Sequence, residues 1–278
     1  MILYKKSIPY TLYWGGVMVS GVPQEVAVDF WNKINALGRD DYDSLLSINR
    51  RIWPLSKKFP RRAEIRLVAA LGLLRAGERE AAIDHINAAF ELRFVLSEQE
   101  LRSLIHLLYY VGDFERGCDF SRTLLVEEKY RSSNEVMTAI LGMACIAGDI
   151  SLIGQIYEKK TACSEVAKEI ADELMRVGIL NFFAGHQNLV CSILRPYMTV
   201  VEFGIIRDGI DGYMFVYRYF TTLNKQERFK KLKEVNSALH DYYIARQMDG
   251  GCYLGIFQTI ISGIDIGPIE EADIEVFR

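Results

Sequence analysis

The sequence predicts a mainly α-helical protein, a right-handed solenoid of about five helical hairpins with a small α+β cap. The first observation is a repeat of about 35 to 39 residues, a length typical of stacked helical hairpins. The repeated feature is a glycine that follows an apolar helical segment, at Gly38, Gly77, Gly112, Gly148 and Gly185. The second is that this repeat stops near residue 198, where segments rich in β-branched and aromatic residues begin.

The composition is that of a folded, soluble protein. Of 278 residues, 50% are hydrophobic and 25% are charged, and the net charge of −3 predicts no general attraction to nucleic acid or anionic membrane. The five cysteines form no CxxC pair, which favours reduced thiols and a cytoplasmic location. The four histidines lack ligand spacing, so we expect neither a metal nor a cofactor.

Residues 1–22 form a separate N-terminal segment in the predicted domain organisation. No charge occurs between Ser7 and Gln24, and Lys5 and Lys6 precede this stretch, so it faintly resembles a signal peptide. Prolines and glycines interrupt its apolar residues, however. We therefore favour a pair of buried strands that turns at Gly15-Gly16 over an export signal.

Residues 23–198 form the predicted helical repeat domain, and its turns share local signals. Each glycine is expected to end a helix in the left-handed conformation, which glycine adopts without a Cβ clash. An acidic residue suits the positive end of the next helix; such residues are Glu78, Asp113 and Asp149. Two Ser-x-x-Glu capping boxes should start helices. They are Ser97 with Glu100 and Ser132 with Glu135.

The second repeat resembles a tetratricopeptide repeat. That family has a turn glycine, then a small residue, a bulky residue and another small residue at fixed distances, and Gly77, Ala82, Ile86 and Ala89 occupy these places. The resemblance covers residues 24–196 approximately. Later repeats carry other residues at the position that Ala82 occupies in the second repeat. Because close helix packing depends on that position, we expect an irregular superhelix. These residues are Gly117, Ile153 and Val190.

The resemblance implies a concave face, lined by the first helix of each hairpin, that binds a protein or peptide partner. Non-core positions of these helices are the candidate contacts: Arg66, Arg102, His106, Tyr109, Thr138, Arg176 and Asn181. Ordinary surface is an equally good interpretation of them. The family's usual roles suggest a non-enzymatic adaptor, chaperone or regulator, for example in a bacterium. The aromatic content of 12% leaves a homodimer open.

Residues 199–278 form the predicted α+β unit. Strands are expected at 212–222 and 252–262 and an amphipathic helix at 224–247, and the N-terminal segment could add further strands to the same sheet. The helix should bury one apolar face, formed by Phe229, Leu232 and Val235. The segment 207–212 lacks the spacing of a calcium loop, so it is interpreted as a turn.

An enzymatic or ligand-binding role for this unit is the alternative function. His240 and Cys252 are its weak catalytic candidates, because cysteine–histidine chemistry needs the two side chains within hydrogen-bond reach. A cysteine buried in a strand is the better interpretation of Cys252. Whether the chain is an enzyme stays open, with no enzyme favoured.

The most basic stretch of the chain covers residues 49–62. Its cations are Arg50, Arg51, Lys57, Lys58, Arg61 and Arg62. Trp53 and Phe59 lie between them, so the stretch could bind phosphates or an acidic peptide. We favour a solvated loop between repeats whose two aromatic residues pack inward. Nucleic-acid binding through this stretch is the least favoured function.

Overall fold

In a computed structural model, the described residues are 22–37, 42–76, 78–176, 198–208, 212–221, 224–248 and 257–261, with single positions between 180 and 193. Most of this part of the chain is helical, which confirms the mainly α prediction. The main helices are α1 (Val22–Ala36), α2 (Tyr42–Lys58), α3 (Ala63–Arg75), α4 (Arg79–Glu91), α5 (Glu98–Tyr110), α6 (Phe114–Val126), α7 (Glu128–Arg131), α8 (Asn134–Ala147), α9 (Ile150–Glu158) and α10 (Glu165–Arg176). A 3-10 turn, Arg93–Val95, follows α4.

The helices pack as neighbouring hairpins. Helix α3 contacts α4, α5 contacts α6, and α8 contacts α9, each across a short turn. The first helices of successive hairpins also contact one another, since α1 touches α3, α3 touches α5, α5 touches α8, and α8 touches α10. The apolar residues of these first helices therefore form the centre of the packed helices.

Helices α3 and α8 are buried almost all round because they are apolar on nearly every face. In α3 only Arg66 and Leu73 are not buried. The second helices are amphipathic instead. Helix α4 buries a stripe at helical spacing, formed by Ala82, Ile86 and Ala89. These residues are fully buried, as expected for positions where short side chains let two helices approach closely.

Two of the turn glycines lie within the described residues and confirm the predicted conformation. Gly112 has φ 69° and Gly148 has φ 67°, both in the left-handed region. Gly38, Gly77 and Gly185 lie outside the described residues. The acidic residues after the turns differ in whether their side chains cap the following helix. The Asp149 carboxylate accepts a hydrogen bond from the Leu152 N–H at 3.0 Å, but neither Glu78 nor Asp113 caps its helix through its side chain.

One predicted capping box is confirmed and the other is wrong. The Ser97 hydroxyl accepts from the Glu100 N–H at 3.3 Å, and the Glu100 carboxylate accepts from the Ser97 N–H at 2.7 Å. Ser132 instead follows the end of α7, and Ser133 precedes α8. The box fails because α8 begins one residue later, with Ser133 as its N-cap, so Glu135 is one position too early to complete a box. The Glu135 carboxylate pairs with Arg102 of the preceding hairpin instead.

The C-terminal described residues contain three strands and one helix. Strand β1 (Met198–Asp208) pairs antiparallel with β2 (Gly212–Thr221), with an irregularity between Val200 and Glu202. Strand β3 (Phe257–Ile261) pairs in parallel with β2, so the order is β1-β2-β3. Helix α11 (Lys225–Met248) joins β2 to β3. The N-terminal segment, including its predicted strands, lies outside the described residues.

Helix α11 starts at the predicted cap and buries the predicted face except for Phe229. The Asn224 side-chain oxygen accepts from the N–H groups of Gln226 and Glu227, each at 3.0 Å. Leu232, Val235 and Leu239 are buried at helical spacing. Phe229 is 59% exposed, so its assignment to the buried face was wrong. It lies one turn before the buried stripe begins, and the Lys233 ammonium lies 4.9 Å from its ring centre.

Candidate functional site

The candidate contacts predicted on the first helices are less accessible than expected. Tyr109 is 4% exposed, and its ring packs against Tyr110 and Phe114 with centroid distances of 5.3 and 6.2 Å. Tyr109 is thus a core residue because three aromatic rings gather at the end of α5. The Arg176 side chain and the whole of Asn181 lie outside the described residues.

Two further candidates connect neighbouring hairpins. The Arg102 guanidinium forms an ion pair with Glu135 at 2.9 Å, and its side chain is only 14% exposed. The Thr138 hydroxyl accepts from the Ser164 N–H at 2.9 Å. Both side chains therefore hold consecutive first helices in register.

His106 is half-buried on α5, and its pKa is lowered to about 3, because burial and then the Arg102 charge disfavour the imidazolium. Strand β1 also contacts α5, so the chain itself occupies part of the surroundings of this helix. His106 is a neutral, largely enclosed side chain rather than an open contact.

Arg66 belongs to a small cluster that joins three helices. Its guanidinium Nη1 lies 3.4 Å from Nδ1 of His85 on α4. The Trp53 ring of α2 meets the His85 imidazole edge-on at a centroid distance of 5.8 Å. His85 is buried, and its pKa is lowered to about 4 by burial and secondly by the Arg66 charge. The neutral imidazole can therefore accept a hydrogen bond from Arg66.

The basic stretch is mostly helical, and the prediction of a loop was wrong. Helix α2 continues to Lys58, with Pro54 inside it, so only residues 59–62 form the connection to α3. Trp53 is 51% exposed and does not pack inward as predicted, whereas Phe59 is half-buried. All six cations of the stretch are exposed, namely Arg50, Arg51, Lys57, Lys58, Arg61 and Arg62.

A groove that the sequence did not predict lies between α4 and α6. It encloses about 600 Å³ and is lined by polar, charged and aromatic side chains. Phe90 and Phe120 form its aromatic part, with their rings edge-to-face at a centroid distance of 5.2 Å. The groove thus offers a concave, amphipathic surface on the second helices of two adjacent hairpins.

Two arginines hold the aromatic part of this groove. The Arg93 guanidinium lies 4.6 Å from the Phe90 ring centre and 4.3 Å from that of Phe94, and its Nη1 donates to the Phe90 carbonyl at 3.0 Å. Arg116 also lies over Phe90, at 5.3 Å, and pairs with Asp113 at 2.8 Å. Within the described part of the chain, no carboxylate forms an ion pair with Arg93.

A sequence signal for the groove existed but was local and short. Phe90, Arg93 and Phe94 follow one another at the helical spacing i, i+3, i+4, and Arg116 and Phe120 are four residues apart. Such pairs are common on helix surfaces. Only the contact between the two helices brings them together in one groove.

The catalytic candidates do not form a site in the described residues. His240 is exposed on α11, and Cys252 lies outside the described residues. Cys118, Cys145 and Cys163 are buried free thiols. Burial raises the pKa of Cys118 to about 12, so it is a poor nucleophile. Across the described ranges, no group of three or more His, Cys, Asp or Glu residues could hold a metal ion.

No protein-family model, curated protein or solved structure matches this chain. Of the helices in the described residues, none is both long and apolar enough to cross a membrane.

Proposed function

We propose that this protein is a non-enzymatic interaction module built as a tetratricopeptide-like array over residues 23–198. The contacts between successive first helices, the left-handed Gly112 and Gly148, and the small buried Ala82 and Ala89 support this architecture. We further propose that residues 199–278 form an α+β cap, which the pairing of β2 with β1 and β3 supports. The buried free thiols favour a cytoplasmic location.

The groove between α4 and α6 is the proposed binding site, and the position of Arg93 carries the proposal. Its guanidinium is held between two phenyl rings and forms no ion pair with another described residue. Such a preorganised group forms strong, charge-assisted hydrogen bonds with a carboxylate. Phe94 and Val95, 69% and 77% exposed, follow directly and offer apolar area. The proposed ligand is a protein segment with a carboxylate next to an apolar side chain.

The test is site-specific capture followed by a direct binding measurement. A photo-crosslinking amino acid at Phe94 should trap a partner in the native host, and mass spectrometry should identify it. The double variant Arg93→Ala, Phe94→Ala should then weaken binding of the purified partner at least tenfold, on the order of the 1.4 kcal/mol that one hot-spot residue can contribute. The control Val126→Ala, Lys159→Ala changes an exposed apolar and an exposed basic residue elsewhere.

Other variants separate this proposal from its alternatives. If the double variant Arg93→Ala, Phe94→Ala binds as tightly as the wild-type chain, the groove is not the binding site. Loss of binding only with Arg102→Glu would place the site on the first helices, as the family resemblance implies. Loss of a function only with His240→Ala or Cys252→Ala would place it in the C-terminal unit and favour an enzyme or small-ligand site.

A further inference from the structure

The six cations of residues 49–62 and the Trp53 ring between them are all exposed, and together they are here called the basic face. No Asp or Glu occurs in this stretch. Since the whole chain has a net charge of −3, the residues outside the stretch sum to −9. The molecule is therefore strongly polarised, with a concentrated positive surface on an otherwise acidic chain.

The helical geometry places these side chains together. At about 100° per residue, positions 50, 51, 53, 54, 57 and 58 fall within about 160° of arc on α2. Leu45, Ile48 and Ile52 occupy the opposite, buried side. Arg61 and Arg62 extend the same positive region into the connection to α3.

Most of these charges are not neutralised by the fold. Arg62 lies 3.6 Å from Glu64, the only ion pair that any of the six forms within the described residues. Arg51 lies over the Phe30 ring, Lys57 over Trp53, and Lys58 over Phe59. Arg50 and Arg61 form no such contact in the described part of the chain. Several cations on the basic face are therefore available to a ligand.

Trp53 adds a rigid apolar element. It is 51% exposed, and its ring meets the buried His85 ring edge-on at 5.8 Å and lies 5.0 Å from the Lys57 ammonium. A half-exposed, preoriented tryptophan surrounded by cations is typical of interaction hot spots, because it gives large contact area at little entropic cost.

We propose that the basic face binds an acidic segment of a partner protein, with carboxylates on Arg50, Lys58 and Arg61 and an apolar side chain against Trp53. A protein segment fits better than nucleic acid, because the Lys57 ammonium over the Trp53 ring leaves less room for the full face of a stacked base than for one apolar side chain. The negative charge of the rest of the chain also opposes a long polyanion. This surface is independent of the groove between α4 and α6.

The test compares matched charge reversals. Fluorescence anisotropy of a fluorescein-labelled peptide of alternating Glu and Phe should show binding to the full chain that weakens as salt is added. Arg50→Glu with Arg61→Glu should weaken it about tenfold or more. Lys159→Glu with Lys230→Glu changes the net charge equally at exposed sites elsewhere and should leave affinity within about twofold. Trp53→Leu should weaken binding several-fold.

The outcomes separate the ligand classes. Absence of binding to the wild-type chain, or equal weakening by both double variants, would overturn the proposal. Tighter binding of a labelled oligothymidylate, abolished by Arg50→Glu with Arg61→Glu, would overturn it in favour of nucleic acid. Melting curves check that the variants fold. If the charge reversal unfolds the chain, Arg50→Gln with Arg61→Gln gives the same comparison without introducing repulsion.

Discussion

At the scale of single residues, His85 couples stability to pH. Its pKa is lowered to about 4 in the folded chain, against about 6.5 when unfolded, so the unfolded state binds more protons between these values. Its contribution to stability is complete above pH 6.5 and is lost as the pH falls towards 4. His106, with a pKa of about 3, acts in the same direction.

We expect His85→Gln to reduce the loss of stability between pH 7 and pH 5 by on the order of 2 kcal/mol. The glutamine oxygen can still accept from Arg66 but does not titrate. Urea unfolding at both pH values measures the difference. His240→Gln, which changes the exposed histidine of α11, is the control variant. An equal effect of both variants would contradict the role assigned to His85.

Two serines with the same sequence signature should differ in their effect on stability. Ser97→Ala removes the hydroxyl that accepts from the Glu100 N–H in the observed capping box and should cost about 1 kcal/mol. Ser132→Ala removes an exposed hydroxyl. Within the described residues, its one hydrogen bond is the weak one it donates to the Lys129 carbonyl at 3.4 Å, so stability should change by less than about 0.5 kcal/mol. Chemical denaturation of both variants makes the comparison, and equal costs would contradict it.

Predictions from the sequence were correct where the conformation depends on neighbouring residues. They failed where a contact with a distant residue is involved. Gly112, Gly148 and the Ser97 box depend on a few neighbouring residues, and their pattern was sufficient. Glu135 has the same local pattern as Glu100, but its partner Arg102 is 33 residues away. No local signal indicates that ion pair, or that α8 begins one residue later, after Ser133.

At the scale of secondary-structure elements, the two glycines of the hairpin α8–α9 provide a matched pair. Gly148 ends α8 with φ 67°, where an alanine side chain would be strained. Gly154 lies inside α9, and a Cβ there would meet no atom within 4 Å. The same substitution should therefore have opposite effects in adjacent segments.

Gly148→Ala should lower the free energy of unfolding by about 1–2 kcal/mol, whereas Gly154→Ala should raise it by about 0.5–1 kcal/mol through helix propensity. Thermal and urea unfolding of the two variants measure these changes. Stabilisation by Gly148→Ala would show that the turn does not require the left-handed conformation, and would weaken the register on which the repeat depends.

The elements themselves were more predictable than the surfaces between them. Hydrophobic periodicity and turn residues are encoded within each hairpin, so the order of helices could be predicted. The groove between α4 and α6 depends on Phe90 meeting Phe120, 30 residues along the chain. In the same way, residues 49–62 were predicted to form a loop, but α2 continues through most of them, with Pro54 on its exposed side.

At the scale of the whole molecule, one buried arginine connects the first hairpin to the rest. Arg75, the last residue of α3, is 4% exposed, and its guanidinium donates to the carbonyl oxygens of Ile34 and Leu37 at the end of α1. Burial lowers its pKa to about 10, so it remains charged at neutral pH and complements the negative end of that helix. Helices α1 and α2 both pack on α3.

Arg75→Met keeps much of the apolar stem but leaves the carbonyl oxygens of α1 without their donor. Because hydrogen bonds from a charged group contribute more than neutral ones, we expect a loss of about 2–4 kcal/mol that acts first on the first hairpin. Hydrogen exchange should accelerate in residues 22–58 and change little in residues 98–158.

Arg79→Met is the matched variant, because the Arg79 guanidinium donates to the Val111 carbonyl at 2.9 Å. It should loosen the turn after α5 instead. Equal acceleration throughout the chain in both variants would show that the helices unfold as one unit, without the hairpin-by-hairpin behaviour expected of a tetratricopeptide-like array.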